Sequence, residues 1–243
     1  MIIYAHRGAS AYAPENTMPA MELAVKMGST GIEIDVHKTK DNVIVVSHDS
    51  NLSRCGKADV EIGEHTFEEL LKYDVSNPDV FGAKFKGTKI PAFFDIVKFL
   101  KTQNYQGILN IEIKGNEKYD VVEGCIKISK DLDFKEHIMF SSFDPSNLVH
   151  SKKFDPSVKT GLLTWQHDDA PWNAPISFGC DALHPYYKVV PDEQTKEILN
   201  KGLELNPYTI DDADDMKHLI DLGVSGIITN KPDVCLEIYN NLK

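Results

Sequence analysis

A chain of 243 residues suits one barrel-sized domain or two small ones, and 42% hydrophobic residues with no block of like charge exclude a disordered protein. The net charge of −11 argues against a nucleic-acid binder. It also repels a phosphate ligand at long range, so an anion site here must make its own positive field, from a cation, Arg7 and Lys114.

In chain order, a first strand over residues 2–5 ends at His6-Arg7-Gly8. An amphipathic helix over 18–27 follows, with Gly28 placed to stop it. The second strand, 31–36, carries Glu33 and Asp35. An extra strand, 43–46, folds back on it through Lys40-Asp41-Asn42 and leads to His48. Residues from about 50 to 89 are too many for an ordinary strand-to-helix loop. They are read as a small insertion over the mouth, with one short helix near 67–73 started by Thr66 and Glu69.

The rest alternates. Helices are expected at 93–102, 121–132, 192–200, 213–222 and 232–239, with strands at 108–113, 138–141, 160–163, 182–184, 203–206 and 226–228. Asp144-Pro145 starts a helix, Asn230 with Pro232 reads as another start, and Gly202 and Gly223 sit at helix ends. Eight strands, each followed by a crossover segment, predict a closed parallel (β/α)₈ (TIM) barrel spanning 1–243, with the insertion after its second strand. The rival, an open doubly wound sheet, lacks its glycine fingerprint.

In a strand, residues two apart share a face, so Glu33 and Asp35 point into the barrel while Ile32, Ile34 and Val36 point at the helices. Two inward carboxylates do not both stay ionised without a cation. Glu112 and Lys114 repeat the pattern on the third strand, about 4.8 Å from the second. Three carboxylates make an all-oxygen set that suits one divalent cation, Mg²⁺ or Ca²⁺ with Mn²⁺ also accommodated, over zinc or copper. Lys114 reads either as a phosphate ligand or as an ion-pair partner of those acids.

His6 and His48 each end a strand beside these acids, where one ring can accept a proton while the other donates one. Arg7 offers a planar fork to phosphate oxygens, and Gly8 lets backbone approach closely. His184 also ends a strand and is read as a packing or mouth residue; the remaining histidines lack such placement. Four cysteines without a C-x-x-C pair argue against zinc, and no apolar run approaches a bilayer span. The first five residues show no leader pattern, so the expectation is a reduced cytoplasmic protein without stable membrane association.

An ordered set of short motifs spans the chain: His6-Arg7-Gly8 with Pro14-Glu15-Asn16-Thr17; Glu33-Ile34-Asp35-Val36 with Thr39 and Asp41; His48-Asp49; Ile90-Pro91; Glu112-Ile113-Lys114; Ser141-Ser142-Phe143; Gly223-Val224; and Thr229-Asn230. The set resembles the glycerophosphodiester phosphodiesterase family over nearly the whole chain. The resemblance implies a barrel enzyme that hydrolyses small-molecule glycerophosphodiesters to sn-glycerol 3-phosphate and an alcohol. It implies Glu33, Asp35 and Glu112 as metal ligands, His6 and His48 as the acid–base pair, and Arg7 and Lys114 as phosphate ligands. Glu15 and Asn16 would support the site or touch substrate.

One departure from the family concerns the seventh strand. Many relatives have tryptophan where this chain has Pro207-Tyr208, and Tyr208 would then form an apolar wall with a polar tip. Phe143 and Tyr208 rank first as pocket walls because both follow strands. Two alternatives share this chemistry. A lysophospholipid- or phosphoinositide-directed phosphodiesterase would need an apolar or basic surface near the mouth, where Val80-Phe81 and Lys84-Phe85-Lys86 offer little. A non-catalytic phosphoester-binding barrel would have lost a ligand or an acid–base residue, and none is missing.

Overall fold

The computed structural model describes residues 1–114 and 119–243. Nine strands are present: β1 (Ile2–His6), β2 (Gly31–Lys38), β3 (Ile44–Val46), β4 (Ile108–Ile113), β5 (Ile138–Ser142), β6 (Lys159–Thr164), β7 (Ala182–Pro185), β8 (Glu204–Leu205) and β9 (Gly226–Thr229). Eight run parallel in the order β8-β7-β6-β5-β4-β2-β1-β9, and β3 pairs antiparallel with β2. The ring is completed between β9 and the segment after β8, where Ile228 N–H donates to the Pro207 carbonyl and Ile210 N–H to the Ile228 carbonyl, both at 3.0 Å. Eight parallel strands closed in this way, with helices between them, make a (β/α)₈ barrel.

Strand alternation divides the apolar residues between two layers. Ile32, Ile34, Val36, Ile111 and Ile113 are buried outward, against Met21, Phe93, Ile96 and Val122 of the surrounding helices. On the opposite side of the ring, Ile3, Leu183, Leu205 and Ile227 pack against Ile198, Met216 and Leu219. Inside the barrel, Tyr4, Met139, Ala182 and Ile228 form an apolar floor. Tyr4 fits because two neighbours lack side chains: a Cβ at Gly31 would lie 2.4 Å from its ring, and one at Gly226 2.9 Å.

The β2–β3 hairpin positions chemistry. Its turn closes with Asn42 N–H donating to the Thr39 carbonyl at 3.0 Å and Asn42 at φ 65°. Beyond β3, Ser47 N–H donates to the Asp35 carbonyl at 3.0 Å, which pins the His48 loop to the strand of acids. Residues 50–89 contain the short helices Ser53–Gly56, Phe67–Leu70 and Pro78–Phe81, around a separate apolar cluster that includes Leu52, Ile62, Leu70 and Ile90.

Helices Met18–Met27, Phe93–Thr102, Asp192–Asn200 and Ala213–Leu222 have the expected bounds. Thr66 and Glu69 form a reciprocal capping box, the Asp144 side chain accepts from Ser146 N–H, and Gly28 and Gly223 end helices in the left-handed conformation. Two expectations fail, the first being the single short helix near 67–73: residues 50–89 hold three short α-helices. In the second, the helix Pro232–Asn241 starts from Lys231, not Asn230, whose side chain belongs to the barrel mouth. Four- and five-residue helices such as Ser53–Gly56 and Asn173–Ser177 left no periodic trace, because barely one turn cannot establish a period of 3.6. Among the described residues no helix is long and apolar enough to cross a membrane, and the four cysteines are free thiols.

Candidate active site

Parallel register sets the site. His6 lies opposite Glu33, and Glu33 opposite Asn110; Asp35 lies opposite Glu112, and Glu112 opposite Ser141. Glu33, Asp35 and Glu112 thereby each offer an oxygen within 4.8 Å of the others. His6, Arg7, Glu33, His48, Glu112 and Lys114 share a cavity of about 200 Å³, with Phe143, Leu163 and Tyr208 as apolar walls. Residues separated by more than 100 positions in sequence meet there.

The three acids differ in surroundings. Burial pushes Glu33 well above the usual carboxylate range, and Asp35 and Glu112 push it further. Burial together with Asp35 raises Glu112 to about 7. Burial would raise Asp35 too, but Lys114 and Arg7 outweigh it and hold that carboxyl low. Lys114 Nζ sits 2.5 Å from Asp35 Oδ1 and 2.7 Å from Glu112 Oε1, so it joins two of the acids. Arg7 Nε lies 3.4 Å from Asp35 Oδ2, and Asn16 Nδ2 donates to the same oxygen at 2.8 Å. The Arg7 backbone N–H donates to Glu33 Oε2 at 3.0 Å.

That backbone contact needs a sharp turn after β1, with Arg7 at φ 55° and Gly8 at φ 80°. A Cβ on Gly8 would lie 2.7 Å from Ala20 backbone, so only glycine lets helix Met18–Met27 close against this turn.

The two histidines are wired differently. The Asn230 amide nitrogen donates to Asp211 Oδ2 at 2.5 Å, which turns Asn230 Oδ1 toward His6 Nδ1 at 2.8 Å. His6 Nδ1 is therefore the protonated nitrogen, and Nε2 presents a lone pair. Burial, reinforced by Arg7, lowers His6 to about 4 and keeps the ring neutral. His48 Nδ1 lies 2.6 Å from Asp49 Oδ1, and the other Asp49 oxygen accepts from Arg54 Nε at 2.7 Å. Burial lowers His48 as well, with Asp35 and Asp49 pulling the other way.

Glu15 and Asn16 stand behind the cavity rather than in its wall. Glu15 accepts from Arg7 Nη1 at 2.8 Å and takes both terminal nitrogens of Arg54 at 2.8 Å. Burial would raise Glu15, but Arg54 and Arg7 bring it down to about 2. Phe143 and Tyr208 meet edge to face with centroids 6.3 Å apart. The Tyr208 hydroxyl donates to the Thr164 carbonyl at 3.0 Å, so its polar tip is engaged by backbone. His184 lies buried inside the barrel and accepts from Asn206 at 3.0 Å, a packing residue and not one of the mouth.

Four contributors carried little or no sequence signal. Asp211 orients Asn230 across the seam; Arg54 reaches Glu15 across 39 positions; Asp49 holds His48; and His37 Nε2 donates to the His48 carbonyl at 3.2 Å. Asp49 and Asn230 fell inside quoted motifs, without a role.

The model of the glycerophosphoryl diester phosphodiesterase family matches residues 6–234. The chain belongs to that family. It is 35% identical to a glycerophosphodiester phosphodiesterase of Caldanaerobacter subterraneus subsp. tengcongensis, over 98% of this chain and 97% of that one. An Oleispira antarctica phosphodiesterase, solved in complex with the product sn-glycerol-3-phosphate, superposes with a TM-score of 0.89 at 24% identity, over 99% of this chain and 97% of that one. A glycerophosphodiester phosphodiesterase of Parabacteroides distasonis superposes at 0.84 with 25% identity, over 99% and 97%. Membership makes the chain a phosphoric diester hydrolase acting on glycerophosphodiesters.

The Asn230 contact gives a first prediction. Asn230→Ala removes the acceptor that fixes the His6 tautomer, and kcat should fall by roughly 10–100-fold with the fold intact, as checked by steady-state kinetics and circular dichroism. Unchanged kcat would remove Asn230 from the site.

Proposed function

We propose that the chain cleaves glycerophosphodiesters to sn-glycerol 3-phosphate and an alcohol, using one divalent cation and His6 and His48 as base and acid. The observation that carries this reading is the convergence of the Glu33, Asp35 and Glu112 oxygens within 4.8 Å, beside a cavity lined by both histidines, Arg7 and Lys114. The donor set is all oxygen, which suits Mg²⁺ or Ca²⁺, with Mn²⁺ able to take the same ligands. The raised positions of Glu33 and Glu112 fit the same assignment, because a cation on these oxygens would favour all three ionised forms. Bound there, the ion would neutralise charge on the phosphoryl oxygens.

The remaining work belongs to the side chains. Arg7 and Lys114 stay charged despite burial, because Asp35 holds both up, and they supply the positive field that the net charge of −11 denies. The neutral His6 ring presents Nε2 as the base toward the attacking oxygen. His48, backed by Asp49, delivers a proton to the departing alcohol. An anionic diester beside it adds to the pull of Asp35 and Asp49 toward the protonated ring.

Two outcomes are expected. His48→Ala should slow cleavage of an alkyl diester such as glycerophosphocholine by roughly 10²–10⁴-fold and spare most activity on a nitrophenyl diester, whose leaving group needs no proton. Equal losses on both substrates would take the acid role from His48. Excess chelator should abolish turnover of glycerophosphocholine, and added Mg²⁺ or Ca²⁺ should restore it. Full activity in persistent chelator would remove the cation from the account.

A further inference from the structure

The insertion places one guanidinium behind two side chains of the cavity. Arg54 extends from the one-turn helix Ser53–Gly56, and the insertion's own apolar cluster seats that helix. Leu52, 2% exposed, packs in the cluster with Ile62, Leu70 and Ile90, and its N–H donates to the Val60 carbonyl at 3.0 Å. At the other end of the turn, a Cβ on Gly56 would lie 2.9 Å from the Asp74 carbonyl, so the turn is held on both sides. From this base Arg54 Nε donates to Asp49 Oδ2 at 2.7 Å, while Nη1 and Nη2 donate to the two oxygens of Glu15 at 2.8 Å.

Each carboxylate passes the contact on. Asp49 Oδ1 meets His48 Nδ1 at 2.6 Å, and Glu15 Oε1 also accepts from Arg7 Nη1 at 2.8 Å. His48 and Arg7 line the catalytic cavity, whereas Arg54, Asp49 and Glu15 do not. A guanidinium is planar and its donors form a rigid fork, so two carboxylates gripped by one guanidinium are oriented relative to each other. Released, each would regain its rotamers, and the group resting on it would lose its direction. Burial would raise Asp49, but Arg54 and His48 hold it below the usual carboxylate range, so it remains an acceptor for the ring. The arrangement does little for the fold, because the Arg54 side chain is 45% exposed and ion pairs at such positions contribute little to stability. What it does fix is the direction of two reactive groups.

We propose that Arg54 is a positioning residue for the reaction: through one guanidinium it directs the His48 ring by way of Asp49 and the Arg7 fork by way of Glu15, so that the insertion aligns the acid with the phosphate grip. This rests on the roles given to His48 and Arg7 above and adds what aligns them. Loss of Arg54 then has two parts. One follows the leaving group, because it acts through the acid. The other is common to every diester, because it acts through Arg7.

The test compares kcat/KM for glycerophosphocholine and for a nitrophenyl diester, with His48→Ala as the reference. Arg54→Met keeps an unbranched stem and deletes the fork; it should cost about 10²-fold on glycerophosphocholine and only about tenfold on the nitrophenyl diester. Asp49→Ala should lose about tenfold on the alkyl diester alone, and Glu15→Gln about tenfold on both. Adding Asp49→Ala to Arg54→Met should leave the ratio between the two substrates where Arg54→Met put it, because both changes remove the same support. Arg54→Lys keeps the charge and gives up the fork, so it should still lose about tenfold on glycerophosphocholine, and it serves if Arg54→Met does not fold. Equal losses on both substrates in Arg54→Met, while His48→Ala still separates them, would overturn the alignment and leave the acid role standing. Wild-type rates in Arg54→Lys would overturn it as well. Equal losses in His48→Ala itself would overturn the acid role and the alignment together.

Discussion

Three buried carboxylates facing one barrel interior are the constraint on which the rest of the site depends. Glu33, Asp35 and Glu112 arise from strand alternation on two neighbouring strands, so their proximity is a consequence of register and not of loop conformation. Such a group is unfavourable alone, because burial and mutual repulsion both oppose ionisation. The surrounding residues answer that cost. Lys114 lies against two of the acids, Arg7 and Asn16 against Asp35, and the Arg7 backbone against Glu33. The same positive groups that make the acids tolerable are the ones the proposed phosphate site would use, and they give an acidic protein a local positive field.

The two histidines show how one residue type is given two environments by its neighbours. His6 is held by a neutral amide that is itself oriented by Asp211, and it stays neutral. His48 is held by a carboxylate, which favours the imidazolium against the burial that lowers it. The hairpin of β2 and β3 exists in the same logic: it returns the chain to the carbonyl of Asp35 and leaves His48 beside it. Arg54 then ties residues beyond β3 to the mouth through Asp49 and Glu15, so the support of Arg7 and that of His48 share one guanidinium.

The eight barrel strands were legible in the sequence because each is a short apolar run with turn residues at its ends, and β2 and β4 stood out because inward polar residues interrupt theirs at alternate positions. Parallel pairing then brings Glu33, Asp35 and Glu112 together without further information. Contacts set by side-chain rotamers and by the packing of short helices were not legible. Arg54 looks like any exposed cation until Ser53–Gly56 places it 2.8 Å from Glu15, and Asp211 looks like part of an acidic helix start until the seam of the barrel turns it toward Asn230. Asn230 itself misled the reading, because an Asn two residues before a Pro commonly starts a helix.

The central claim is that these three acids share one cation, and anomalous diffraction from crystals grown with Mn²⁺ tests it most directly. The account predicts one strong anomalous peak per chain, bounded by carboxylate oxygens of Glu33, Asp35 and Glu112. Saturating Mn²⁺ with no peak between them, or with the ion held elsewhere while Lys114 keeps its contacts to Asp35 and Glu112, would contradict it.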